Sequence, residues 1–372
     1  MKWVLGIGVS CLILLLLGGL FLTYWFPSDT VRQELEVRLS DMLQGTVTIQ
    51  SLAFNLLTGM VINQVEFSKP EQPPLTLDRL TLDYSLLGLL KGKFTINEVS
   101  LDRVNISLNL PEMSKETSPQ ETAPPAPQTE PMLPTFPISI ALETFAITNS
   151  NIEVLVSPDL HIQLDQLNFR SSGGIDKETV NLTGDLEVEQ LALTFQGKQL
   201  QLPLNMSFDT HIHFPTQHLE LKHLSLGSDT AFKVTLSGIV NNFLTQQDIQ
   251  LSLHDTHFNL EHLRKLVDDF VPPEFASATV SGTLTPSISL NGSLPNSQFN
   301  GTIQGTFNGT NIQVHLPGLA MHLGPTDFSV KAEDILVQKS QPTEGTLSAK
   351  ISLHDLTFQS YRIENLDLAL GG

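Results

Sequence analysis

One eight-residue pattern recurs along this chain: apolar-x-apolar, two polar residues, apolar-x-apolar. Val47-Thr-Ile-Gln-Ser-Leu-Ala-Phe54 is the first instance and Leu75-Thr-Leu-Asp-Arg-Leu-Thr-Leu82 the next. It returns at Phe94–Leu101, Val99–Ile106, Ile140–Ile147, Ile162–Phe169, Leu186–Leu193, Leu219–Leu226, Ile351–Phe358 and Tyr361–Leu368. Alternation with period two is the mark of a strand with one apolar face. Strict alternation through the polar pair would throw the second apolar pair onto the opposite face. One extra residue there, a β-bulge, restores both pairs to one side and bends the strand. The rival reading is a turn between two very short strands. Pairs such as Asp-Arg and Gln-Ser are poor two-residue turns, which prefer Asn-Gly or Asp-Gly, so bent strands are favoured.

Asn291-Gly292, Asn300-Gly301 and Asn308-Gly309 do have turn chemistry and predict antiparallel hairpins. Each also opens an Asn-Gly-Ser/Thr sequon, a weaker reading than the turn.

Before the first strand, residues Trp3 to Phe26 carry no charge and include Leu14, Leu15, Leu16 and Leu17. As a helix this stretch covers roughly 36 Å, against a hydrocarbon core of about 30 Å. Trp3 lies at one end and Tyr24, Trp25 and Phe26 at the other, where amphipathic rings favour the interface. A cleavable signal peptide would have a shorter apolar core and a small-x-small cleavage site, so residues 1–27 are expected to be an uncleaved anchor. Lys2 before the span favours a cytoplasmic N-terminus and an exported bulk. The only cysteine, Cys11, lies within the span, leaving the rest without disulfides, thiolate metal sites or a cysteine nucleophile.

A short amphipathic helix should follow, capped by Ser28, Asp29 or Thr30, with Val31, Leu35, Leu39, Met42 and Leu43 on one face. Gly45 is expected to supply its left-handed stop. The same apolar face suits either a core-covering helix or a plug over one end of a sheet. Pro111 to Pro137 holds eight prolines with Ser, Thr, Glu and Gln and reads as an extended linker or surface loop. It divides a proximal module, 28–110, from a distal one, 138–372. The distal module carries a second helix over 259–271, capped by Asn259, striped by Leu260, Leu263, Leu266, Val267 and Phe270, and ended by Pro272-Pro273. The expected fold is mainly β: a transmembrane helix, then an elongated, curved, antiparallel-rich sheet forming a β-groove, with a few short helices.

Twenty Lys and Arg against 39 Asp and Glu give a net charge of −19, and no basic cluster occurs. Nucleic acid is therefore not an expected partner. His211, His213, His218 and His223, and His254, His257 and His262, form two loose groups. No carboxylate or thiol at ligand spacing supports them, so no metal or cofactor is expected. No nucleophile elbow, phosphate loop or zinc-protease motif is present, and the chain is not expected to be an enzyme.

Several stretches in order resemble one family. Gly45-Thr-Val-Thr-Ile-Gln-Ser-Leu follows the span and helix, then Phe54-Asn-Leu-Leu-Thr-Gly-Met-Val-Ile-Asn-Gln-Val. Leu80-Thr-Leu-Asp-Tyr-Ser-Leu-Leu-Gly-Leu-Leu-Lys-Gly-Lys-Phe-Thr-Ile-Asn-Glu-Val-Ser-Leu comes next. This resembles the N-terminal region of AsmA-like proteins, relatives of TamB and of bridge-like lipid carriers, most closely over 28–108. The resemblance implies a bacterial inner-membrane anchor, a periplasmic β-groove, and a role in lipid traffic or outer-membrane homeostasis, with no catalytic residues. On that reading Val47, Ile49, Leu75, Leu77, Ile162, Leu164, Leu219, Leu221, Leu224 and Leu226 line the groove and meet phospholipid acyl chains. Two alternatives stay open: a closed sandwich that buries its own apolar faces, and an envelope assembly scaffold that binds protein partners through sheet edges.

Overall fold

The computed structural model describes residues 28–55, 59–70, 72–85, 88, 93–109, 139–176, 178–245, 247–295, 298–338, 340–359 and 361–371. The expected anchor residues Trp3, Leu14, Leu15, Leu16, Leu17, Tyr24, Trp25 and Phe26 lie outside these, as does the proline-rich segment. Among the described residues no helix is long and apolar enough to cross a membrane.

The chain is mainly β and divides into two compact units. The first holds helix α1 (Ser28–Leu43) and strands β1 (Thr46–Asn55), β2 (Gly59–Ser68), β3 (Leu75–Ser85), β4 (Lys93–Asn109), β5 (Ser139–Ser157) and β6 (Leu160–Asp176). These strands pair in sequence order, antiparallel except for the parallel β4–β5 pair. A parallel pair needs a crossover connection of a dozen residues or more. The proline-rich segment supplies that length, and the strands on either side of it share one sheet.

The second unit runs through β7 (Thr179–Phe195), β8 (Lys198–His213), β9 (His218–Ser228), β10 (Phe232–Asn241) and β11 (Asp248–Asn259) to helix α2 (Leu260–Leu266). It continues with β12 (Thr279–Ser293), β13 (Asn300–Leu316), β14 (Met321–Gln338), β15 (Gln341–Phe358) and β16 (Tyr361–Gly371). Its strands also pair in sequence order, all antiparallel.

Every instance of the recurrent pattern runs through its polar pair as unbroken strand. In β1 the burial alternates until Gln50 and Ser51, which are both exposed, and Leu52 then returns to the side of Val47 and Ile49. Register shifts fall on the polar pairs Glu143-Thr144, Glu189-Gln190 and Lys222-His223. Three other polar pairs contain a left-handed residue, Arg103, Gln166 or Asp355, and opposite Gln50 the left-handed residue is Gln64 on the partner strand. Asp and Gln tolerate or reach this region within a bulge, and the hydrogen-bonding edge then turns without breaking.

The Asn-Gly pairs are not hairpin turns. Asn291-Gly292 and Asn308-Gly309 lie inside β12 and β13, and Asn300-Gly301 opens β13. The glycines allow close approach, Gly309 of a ring and Gly292 and Gly301 first of each other's backbone across the β12–β13 pair. A Cβ on Gly309 would run into the Phe328 ring, and one on Gly301 would come within 2.8 Å of Phe299. Gly45 likewise clears the Phe67 ring, while the left-handed residue closing α1 is Gln44. In α2 the Asn259 side chain accepts the His262 N–H, as its capping position predicts, and a short 3-10 turn at Asp268–Phe270 follows.

Candidate functional site

Cross-strand register places the apolar positions in ladders on one face of each unit's sheet. In the first unit Leu52 faces Ile62, Ile62 faces Leu80, Leu80 faces Leu101, Leu101 faces Ile147, and Ile147 faces Phe169. One apolar row thus crosses all six strands. A parallel row runs Phe54, Met60, Leu82, Val99, Phe145. Phe145 and Phe169 meet edge to face at 5.9 Å.

The second unit repeats the arrangement. Phe208 faces Leu224, Leu224 faces Leu236, Leu236 faces Leu253, and Leu253 faces Ile288. A second row runs from Phe232 through Phe258, Leu284, Gly309, Phe328 and Ile351 to Leu368. Phe232 and Phe258 stack at 6.4 Å, and Phe307 leans on Phe328 at 5.7 Å.

The residues expected to line a groove fall on these faces. Val47, Ile49 and Leu77 are buried; Ile49 faces Val65, which faces Leu77. Val47 faces Phe67, which faces Leu75. Leu164 faces Ile152, Ile162 faces Val154, and both are half-buried. Leu219, Leu221, Leu224 and Leu226 belong to the second unit; Leu226 lies against Met206 and Val234. Their polar neighbours Glu220 and Ser225 alternate to the other face, opposite His211 and Ser207.

In the second unit part of this apolar face is open, although Val188, Leu202 and Ile249 on the same side are buried. Leu226 is 37% exposed, Ile288 39%, Phe307 40% and Leu347 57%. All the unit's strands lie in one sheet, and no second sheet is laid over the face among the described residues. A sandwich core would bury such residues almost completely, so the closed-sandwich alternative does not describe this unit.

Sequence reasoning missed how the polar positions hold the bends. Asn149 and Asp255 adopt the left-handed conformation, and the hydroxyl residue after each is buried. Ser150 Oγ donates to the Thr148 carbonyl at 3.0 Å and accepts the Val104 N–H at 3.0 Å. Thr256 Oγ1 donates to the His254 carbonyl at 3.0 Å and accepts the Thr235 N–H at 3.3 Å. The hydroxyl stands in for the backbone acceptor that the bulge removes. Asp102 completes the first bend, accepting from Asn149 Nδ2 at 3.1 Å and Thr148 Oγ1 at 2.9 Å. The Asn149 bond chiefly holds its carboxyl below the usual range; burial opposes it, and the Thr148 bond and the Arg103 and Arg79 charges reinforce it.

Most histidines lie along strands; His262 is on α2, and the His315 and His322 rings meet edge to face at 5.7 Å. His213 Nδ1 bonds Thr216 at 2.6 Å and His218 Nδ1 bonds Asn241 at 2.8 Å. Among the described residues no three metal-capable side chains come together.

Residues 34–183 match the family model described as TamB, N-terminal domain. This stretch is similar to the N-terminal domain of TamB, a member of the TamB/AsmA bridge-like lipid transfer family. The TamB match begins within α1, passes through β1–β6 and ends in β7, so it extends beyond the 28–108 region where the sequence resemblance is strongest. No curated protein and no solved structure matches the chain. A TamB-like domain with long, one-sided apolar sheets fits a lipid-transfer or envelope role.

Proposed function

We propose that the protein is an inner-membrane-anchored periplasmic carrier whose apolar sheet face shields phospholipid acyl chains in transit between membranes. The observation that carries this reading is the unbroken apolar row over successive strands of a single sheet, left partly open to solvent in the second unit. An acyl chain of about 16 carbons, at about 0.8 kcal/mol per methylene, needs roughly 12 kcal/mol of shielding from water. Continuous Leu, Ile, Val and Phe rows provide that shielding without directional bonds, so chains can slide along them.

The experiment is mass spectrometry of the full-length chain extracted from membranes in native-like discs. Phospholipid retained in defined stoichiometry, and lost when the apolar face is made polar at Leu224 and Leu253, supports the reading. A lipid-free protein that still performs its cellular role would point to the scaffold alternative.

A further inference from the structure

Helix α1 lies along the outer edge of β1, and its side chains replace a missing neighbouring strand. Ser40 Oγ accepts the Val47 N–H at 2.8 Å and Glu36 Oε1 accepts the Ile49 N–H at 2.7 Å. Arg32 Nη1 donates to the Ile49 carbonyl at 3.0 Å and to Glu36 Oε1 at 3.0 Å. The spacing explains the fit: four helical residues rise about 6 Å and two strand residues about 6.8 Å, so every fourth side chain meets every second backbone group. An edge strand that would otherwise accept another chain is thereby covered.

The same helix turns Val31, Leu35 and Leu39 onto the cluster of Val47, Ile49, Leu52 and Ile62. These strand residues lie at the β1 end of the first unit's apolar face. They are the most enclosed part of that face, Ile49 being 2% exposed, whereas no residue of α1 is itself buried. Val37, Met42 and Leu43 are exposed, so α1 presents apolar side chains away from the sheet as well.

We infer that α1 is a displaceable plug, its Val31, Leu35 and Leu39 side chains occupying the subsite that acyl chains take when lipid enters the first unit's apolar face. This rests on the lipid-carrier reading. The Arg32–Glu36–Ser40 latch then sets how readily the site opens, because those bonds form only when α1 is docked. Displacing α1 frees the β1 end of that apolar face and the β1 edge together.

Full-length protein carrying Cys11→Ser, Asp41→Cys and Thr48→Cys provides the test. Both new thiols adjoin the Ser40–Val47 contact, and neither replaces a latch residue. A bis-maleimide with a reducible spacer locks α1 to β1, and extraction of fluorescent phosphatidylethanolamine from vesicles is followed before and after reduction. The locked form should extract at least tenfold more slowly, with full recovery on reduction. A Glu36→Gln, Ser40→Ala variant with an unchanged melting temperature should extract several-fold faster than the parent. Equal rates in the locked and released forms overturn the plug while leaving the carrier reading standing. Extraction by neither form removes the carrier reading, and the plug with it.

Discussion

The hydroxyl of Ser150 in β5 accepts the backbone N–H of Val104 in β4 at 3.0 Å, across the parallel strand pair that brackets the proline-rich segment. Ser150 is 1% exposed, so water offers Val104 no substitute partner. Ser150→Ala should cost about 1–3 kcal/mol, the desolvation penalty of an unpaired buried donor. Ser150→Thr should retain the bond, since Thr256 plays the same part beside Thr235. Urea denaturation reads both variants. A Ser150→Ala midpoint equal to the parent's would mean the bulge has another acceptor.

Acid should loosen the same bend. Asp102 has a folded pKa below its ordinary value of 3.8, chiefly through the Asn149 hydrogen bond. A depressed carboxyl contributes stability above its unfolded pKa and loses it as pH falls through the folded one. The parent should therefore lose stability below about pH 4 more steeply than Asp102→Asn. The difference between their unfolding curves, measured from pH 6 to pH 2.5, should shrink towards the acid end. A constant difference would show that the Asp102 charge takes no part.

The bent, one-faced strands were legible because few backbone geometries besides a bulge keep both apolar pairs on one side of an inserted polar pair. Gln50 and Ser51 behave as that argument requires, as does the Asn259 cap. The Asn-Gly pairs misled because glycine serves two ends, turns and close approach, and only the three-dimensional neighbour distinguishes them. Phe328 above Gly309 comes from a different strand, outside any local pattern. The edge caps Arg32, Glu36 and Ser40 were illegible for a similar reason. As a sequence they form an ordinary i, i+4, i+8 polar stripe, and its purpose depends on β1 lying alongside. Likewise composition marks the proline-rich segment as irregular, but only the register shows β4 and β5 pairing parallel across it.

Gly309→Ala should destabilise the second unit by about 1–3 kcal/mol, as overpacking does, because the added methyl meets the Phe328 ring. Phe328→Leu should relieve much of that loss in the double variant while costing something alone. Thermal melts of the four proteins give the coupling. Additive effects would place the methyl elsewhere than against the ring.

Leu224 lies half-buried between Phe208 and Leu236 on the open face. Leu224→Arg should fold, since a long cationic side chain can reach water from an open sheet. The same substitution should slow phospholipid transfer at least tenfold by interrupting the row. An unfolded Leu224→Arg protein would indicate a closed core at this position.

The carrier account stands most directly on which face of β9 touches lipid. A photo-reactive amino acid at Leu221 or Leu224 in the full-length protein, activated in cells, should yield phospholipid adducts identifiable by mass spectrometry. The same residue at Glu220 or Ser225, on the opposite face, should yield none. Adducts confined to the two leucine positions are the predicted result. No adduct at either leucine, or equal labelling of both faces, would contradict the account.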